Sequence, residues 1–139
     1  MNQIDLVPTI SMLLGVPVPF ANLGSLVPAL VPLKNTEKKT THTQQVALGL
    51  ALNSAQVKKY LSTYSKIASL PSKEVTEMEE VLKDAVAKYE EAIQGGDGKD
   101  SIAYREACAL FKIFLAGITD LGRKVSLLWL LLRAFFCRL

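Results

Sequence analysis

Prolines confine the first quarter of this chain more tightly than any other feature. Five of its six prolines, Pro8, Pro17, Pro19, Pro28 and Pro32, fall between residues 8 and 32. A proline in a helix interior removes a backbone donor and clashes with the preceding turn, so no long helix can occupy this stretch. What fits is a short helix followed by an extended arm. Asp5 suits the N-cap, where its carboxylate can accept from an early backbone N–H, and Pro8 then falls in the first turn. Leu6, Ile10, Leu13 and Leu14 recur at helical spacing, which predicts one buried apolar face. Gly15 supplies the left-handed stop. Pro17 and Pro19 force an extended exit. Along the arm, residues 15–36, the apolar Val16, Val18, Phe20, Leu23, Leu26, Val27 and Leu30 are too many for a free loop. They are expected to pack against a surface or to stay sticky without one. Residues 25–31 have room for one brief helical turn.

The rest of the chain reads as helix. Residues 34–43 are polar and basic, an exposed loop, and Thr41 with Gln44 fits a capping box. A helix is expected over 43–52. Asn53 with Gln56 then resembles a second cap, opening a helix over 54–69 whose stripe is Val57, Leu61, Tyr64 and Ala68. Pro71 ends it and Ser72 caps the next, about 73–94. There Val75, Met78, Leu82, Ala85, Tyr89 and Ala92 step in threes and fours. This seam is under three heptads, too short for a long coiled coil, and predicts a hairpin with the preceding helix. Asp100 caps a last helix over 101–137, apolar nearly all round from 107 to 121.

Chemistry-bearing residues are sparse. His42 is the only histidine. With no cysteine, histidine or carboxylate pair beside it, it reads as a solvated surface residue. Cys108, among Ala107, Ala109 and Leu110, reads as a small buried apolar residue, and its spacing to Cys137 matches no zinc pattern. The acidic residues of 74–91 read as a solvated face. The Gly95–Lys99 stretch lacks the spacing and preceding strand of a phosphate loop. No catalytic, cofactor-binding or metal-binding residue is assigned. A net charge of +3, without basic residues interleaved with aromatics, gives no reason to expect nucleic acid as a partner. At 139 residues and 50% hydrophobic content, the chain can build one modest core.

The stretch Ile4–Pro19, IDLVPTISMLLGVPVP, resembles a pattern of the alkaline-phosphatase-like superfamily. With Phe20 and Asn22–Gly24 it is most similar to the GPI ethanolamine phosphate transferases. Residues 51–65, ALNSAQVKKYLSTYS, resemble the branch that acts on the third mannose. The resemblance covers residues 2–70 well, 71–124 loosely and 125–139 hardly. It implies an endoplasmic-reticulum membrane enzyme, lumenal side, that transfers phosphoethanolamine to the GPI precursor through a Thr nucleophile and two zinc ions. Those groups lie upstream of the pattern in the family. By resemblance, therefore, this chain is a piece without nucleophile or cofactor, inactive alone, whose partner is the missing catalytic domain. The expected fold is mostly α, four or five helices: 1–33 the terminal helix and arm of an incomplete alkaline-phosphatase-like α/β domain, 34–99 a helical hairpin linker, and 100–139 a long juxtamembrane helix.

The C-terminus keeps three readings. Val125–Leu132, flanked by Arg123, Lys124, Arg133 and Arg138, could be a membrane-surface anchor or the start of a span, a core helix of a bundle, or out-of-frame sequence. A spanning helix needs about 20 mostly apolar residues, and this uncharged run is eight. The alternative for the whole chain is a non-enzymatic helical interaction or membrane-peripheral protein, with the seam and the apolar C-terminus as its binding surfaces.

Overall fold

The computed structural model describes residues 3–32, 41–64, 72–95 and 100–136, the last with side chains from 102 to 127. Four α-helices form among the described residues: α1, Gln3–Leu14; α2, His42–Tyr64; α3, Ser72–Gln94; and α4, Asp100–Phe136. A single 3-10 turn, Pro28–Leu30, marks the end of the arm. No strand occurs among the described residues, so the mostly α expectation holds.

Local signals account for the ends of these elements. Gly15 takes the left-handed conformation, φ 69°. Its N–H donates to the Met12 carbonyl at 3.3 Å, and the Val16 N–H donates to Ser11 at 2.9 Å. These two bonds are the Schellman closure, which satisfies carbonyls that the last helical turn leaves open. At the start of α2, the Gln44 N–H donates to Thr41 Oγ1 (3.3 Å) and the Thr41 N–H to Gln44 Oε1 (2.8 Å), a reciprocal capping box. Glu74 lies in the first turn of α3, where it meets the positive end of the helix dipole.

The long helix α4 is the centre of the bundle. Tyr104, Ala107, Cys108, Phe111, Phe114, Leu115, Ile118 and Leu121 are buried along it at intervals of three and four. Onto this stripe α3 lays Leu82, Ala85 and Ala92, and α2 lays Val46, Ala47, Leu50, Val57 and Leu61. Completely burying a side chain such as Phe111 or Phe114 contributes about 2–3 kcal/mol each. Because neighbours cover only part of the circumference, the apolar middle of α4 leaves Ile113 exposed.

The pairing differs from the expected hairpin. The helix α3 runs antiparallel to α4, with Tyr89 beside Tyr104, Lys88 beside Glu106, Met78 against Gly117, and Glu74 near Lys124. Its contact with α2 is slight. The seam is real, with Leu82, Ala85 and Ala92 buried, but a heptad pattern names a face and not the helix it meets. The second correction concerns α2, which continues through Asn53 without a break. Residues 65–69 of the helix expected over 54–69, including Ala68, lie outside the described residues, as do Pro71 and all of the 95–99 turn after Gly95.

Candidate functional site: the helix–arm junction

The arm has no regular secondary structure from Val16 to Val27 outside a turn at 20–21. Its inner half runs between helices, so its backbone groups need partners. Side chains provide them. Asn22 Oδ1 accepts from the Gly24 N–H (2.8 Å), Asp5 Oδ1 from Ser25 (2.9 Å), Asn53 Oδ1 from Leu26 (2.9 Å), and Thr9 Oγ1 from Val27 (2.9 Å). Four consecutive donors are taken, and the next residue, Pro28, has none. The arm's carbonyls are held the same way. Gln56 Nε2 donates to Phe20 (2.6 Å) and Asn22 (3.2 Å), and the Thr119 hydroxyl shares its proton between Leu23 (2.8 Å) and Leu115 (2.9 Å). So α1, α2 and α4 all meet at one short strap.

Pro8 has a larger part than tolerated first-turn residue. Since α1 starts at Gln3, Pro8 is interior to it. Proline has no N–H to offer the carbonyl of the residue four back, so Ile4 is left with an open acceptor. Asn22 Nδ2 fills it at 3.3 Å. Gly24 lies against the same exposed peptide: an added Cβ would stand 2.5 Å from the Ile4 carbonyl carbon and 2.9 Å from the Asp5 nitrogen. Thr9 completes the arrangement, donating to the Asp5 carbonyl (2.7 Å) while its oxygen accepts from Val27. The residues Asp5, Pro8, Thr9, Asn22 and Gly24 are thus one interlocked device.

Three expectations are corrected here. Asp5 is not the N-cap; its carboxylate reaches across to Ser25. Asn53 and Gln56 do not open a helix. They sit in mid-helix and hold the arm, Asn53 being fully buried. A spacing of three fits a cap locally, but only the arm's open donors explain a buried asparagine. The third correction is the largest. The face of α1 turned inward is Pro8, Thr9 and Ser11. Ile10 and Leu13 are each 48% exposed and Leu14 71%, with Ile4 and Val7 beside them. Of the apolar face expected to be buried, Leu6 is half-buried while Ile10, Leu13 and Leu14 point away from the chain, because the hydrogen bonds to the arm fix the helix the other way round.

His42 is also not free in solvent. It is half-buried, and its Nε2 lies 3.2 Å from the Val31 carbonyl, to which the Nε2–H tautomer donates. Cys108 is buried as expected, and burial pushes its thiol pKa up, with Lys112 pulling weakly the other way. Such a thiol stays protonated near neutral pH and is a poor nucleophile. Burial likewise raises the Tyr89 phenol, with Tyr104 and Cys108 adding to it. Among the described residues, no group of three or more His, Cys, Asp or Glu could hold a metal ion. Asp5 and His42 are already engaged with backbone groups, so the zinc implied by the resemblance does not fit these residues.

Beside the junction is an open cleft of about 550 Å³, lined by Thr9, Met12, Leu13, Val16, Leu48 and Leu52 among others. Leu48 and Leu52 are exposed on α2, so the cleft continues the apolar surface of α1.

Comparison with known proteins bears out the family resemblance. Over 100 residues, 71% of its length, the chain is 32% identical to GPI ethanolamine phosphate transferase 3, catalytic subunit, of Homo sapiens. Over 120 residues, 83% of its length, it is 31% identical to the Mus musculus protein of the same name. The chain belongs to the GPI ethanolamine phosphate transferase family. A GPI ethanolamine phosphate transferase 3 of Schizosaccharomyces pombe is 67% identical over 27 residues, 19% of this chain. The chain spans about a tenth of the length of the relatives it matches, 9% of the human and 11% of the mouse protein. No family model and no solved structure matches it.

Asn53 offers the simplest test of the strap. Replacing it by Ala leaves the Leu26 N–H buried without an acceptor. That costs about 2 kcal/mol, the penalty for desolvating a donor with nothing in return. Urea unfolding of Asn53→Ala beside the parent chain measures it, and a loss under about 0.5 kcal/mol would show that the bond is not formed in solution.

Proposed function

We propose that this chain is a non-catalytic part of a GPI ethanolamine phosphate transferase, of the kind that modifies the third mannose of the GPI precursor. The observation that carries this reading is the similarity to two proteins named as catalytic subunits, along 71% and 83% of the chain. The chemistry of transfer, a nucleophile with metal ions, belongs on this reading to the rest of the enzyme. The chain's own contribution is architectural: α1 and the arm brace the catalytic domain, and α2–α4 lead from it toward the endoplasmic-reticulum membrane on the lumenal side. Arg123 and Lys124 on α4, with Arg133 and Arg138 close behind them in sequence, suit anionic lipid headgroups. Among the described residues no helix is long and apolar enough to cross a membrane.

The test is replacement. In human cells lacking transferase 3, the human enzyme is expressed with its matched 100-residue segment exchanged for the corresponding part of this chain. A GPI-anchored reporter at the cell surface is then scored. The expected result is that the chimera restores the reporter and the 139-residue chain alone does not. A chimera that is made and reaches membranes at normal levels yet restores nothing would overturn the reading, and so would restoration by the chain alone. The first result would favour a helical interaction protein instead, and the second would make the chain itself catalytic.

A further inference from the structure

We propose that the outward face of α1, together with the cleft beneath its C-terminal end, is the seat of the remaining transferase polypeptide. This rests on the functional reading above and names the surface through which it acts.

Four observations lead there. The first is the orientation of α1. Val7, Ile10, Leu13 and Leu14 face outward while Thr9 and Ser11 face in. A chain folding for itself alone would gain by turning this helix over, since each large apolar side chain brought from water contributes about 1.5–3 kcal/mol. The strap prevents that rotation, because Asp5 and Thr9 hold Ser25 and Val27 from the opposite side. The second is continuity. Leu13 and Val16 pass directly into the cleft edged by Leu48 and Leu52, so two helices and the arm present one apolar surface with a hollow in it. A surface of this kind, larger than scattered single residues, marks an interaction site.

The third observation selects against a lipid occupant. A helix that lies in a membrane surface carries Lys and Arg on its polar face. The sequence from Met1 to Leu33 contains neither. The fourth selects the polypeptide over a second copy. The relatives extend far beyond the matched segment, which is 9% and 11% of their length. A covalently linked partner faces this surface at an effective concentration on the order of millimolar, far above that of a free second copy in the cell. The occupant is therefore an apolar surface of the same enzyme, complementary to a ridge of Ile10, Leu13 and Leu14.

The chimera described above decides it. A photo-cross-linking benzoylphenylalanine is placed at Leu13, and in a separate chimera at Lys83 on the exposed side of α3 as control. After irradiation and digestion, the Leu13 probe is expected to join a peptide from the human part of the enzyme, and the Lys83 probe none. Attachment of the Leu13 probe to a second copy of the same segment, to lipid, or to nothing would overturn the proposal. The double variant Ile10→Glu/Leu13→Glu is read in parallel. In the chimera it should lower reporter restoration at least tenfold, while in the 139-residue chain it should leave the unfolding midpoint unchanged. Equal destabilisation of the isolated chain would mean that these side chains serve its own core. An active chimera without the cross-link refutes the surface and leaves the functional reading standing; a cross-linked but inactive chimera does the reverse.

Discussion

Gly24→Ala should uncouple the arm from α1. The new methyl would press into the Ile4 carbonyl group, 2.5 Å from its carbon, and onto the Asp5 nitrogen at 2.9 Å. Those are backbone atoms of a helix, which cannot swing aside as a side-chain tip can. Overpacking of this kind costs roughly 1–3 kcal/mol, and an immovable neighbour puts the variant at the top, about 3 kcal/mol. The loss has a ceiling, since the arm can lift off and surrender its own bonds instead. Urea unfolding gives the free energy, and limited proteolysis across residues 16–27 shows whether the arm has lifted. A change below about 0.5 kcal/mol with unaltered proteolysis would mean that the glycine does not lie against α1.

Phe111→Ala should cost more, because it opens the bundle at its centre. Phe111 is 1% exposed, and Tyr89 of α3 meets its ring edge-on, with centroids 6.2 Å apart. Removing a buried phenylalanine costs about 3–5 kcal/mol, the lost transfer free energy together with the cavity left behind. The expected value is about 4 kcal/mol, a large share of the 5–15 kcal/mol that a small domain has in total. Should that variant fail to fold, Phe111→Leu, which keeps most of the volume, should lose about 1.5 kcal/mol and remain measurable. An alanine variant within 1 kcal/mol of the parent would displace Phe111 from the core.

The parts that could be read from sequence are those written in neighbouring residues. Gly15 after the apolar run of α1, Thr41 with Gln44, and the three-and-four stepping from Val75 to Ala92 each carry their structure within one or two helical turns. The junction could be recognised as a pattern but not understood from it. Asn53 and Gln56 looked like a cap because their spacing satisfies one; their partners lie 27 to 36 residues away. Thr119 gives no local sign that it holds Leu23, 96 residues earlier. The exposure of Ile10 and Leu13 was hidden for a further reason. Apolar periodicity says that a face will be covered, and not whether the cover belongs to the same stretch of chain. His42 had no near neighbour to suggest Val31, and the seam of α3 could not tell α2 from α4.

The strap and the bundle are held by forces of different kinds, and temperature separates them. Between α2, α3 and α4 the cohesion is apolar, centred on Phe111, Phe114 and Leu115. Near room temperature that cohesion is almost entirely entropic, and it weakens on cooling. The contact of α1 with the rest is mainly a row of hydrogen bonds through Asp5, Thr9 and Asn22. Cold therefore relaxes the bundle while leaving the grip on α1 nearly as it was. The edge of this small chain that is poorest in buried apolar surface is the one whose geometry changes least on cooling.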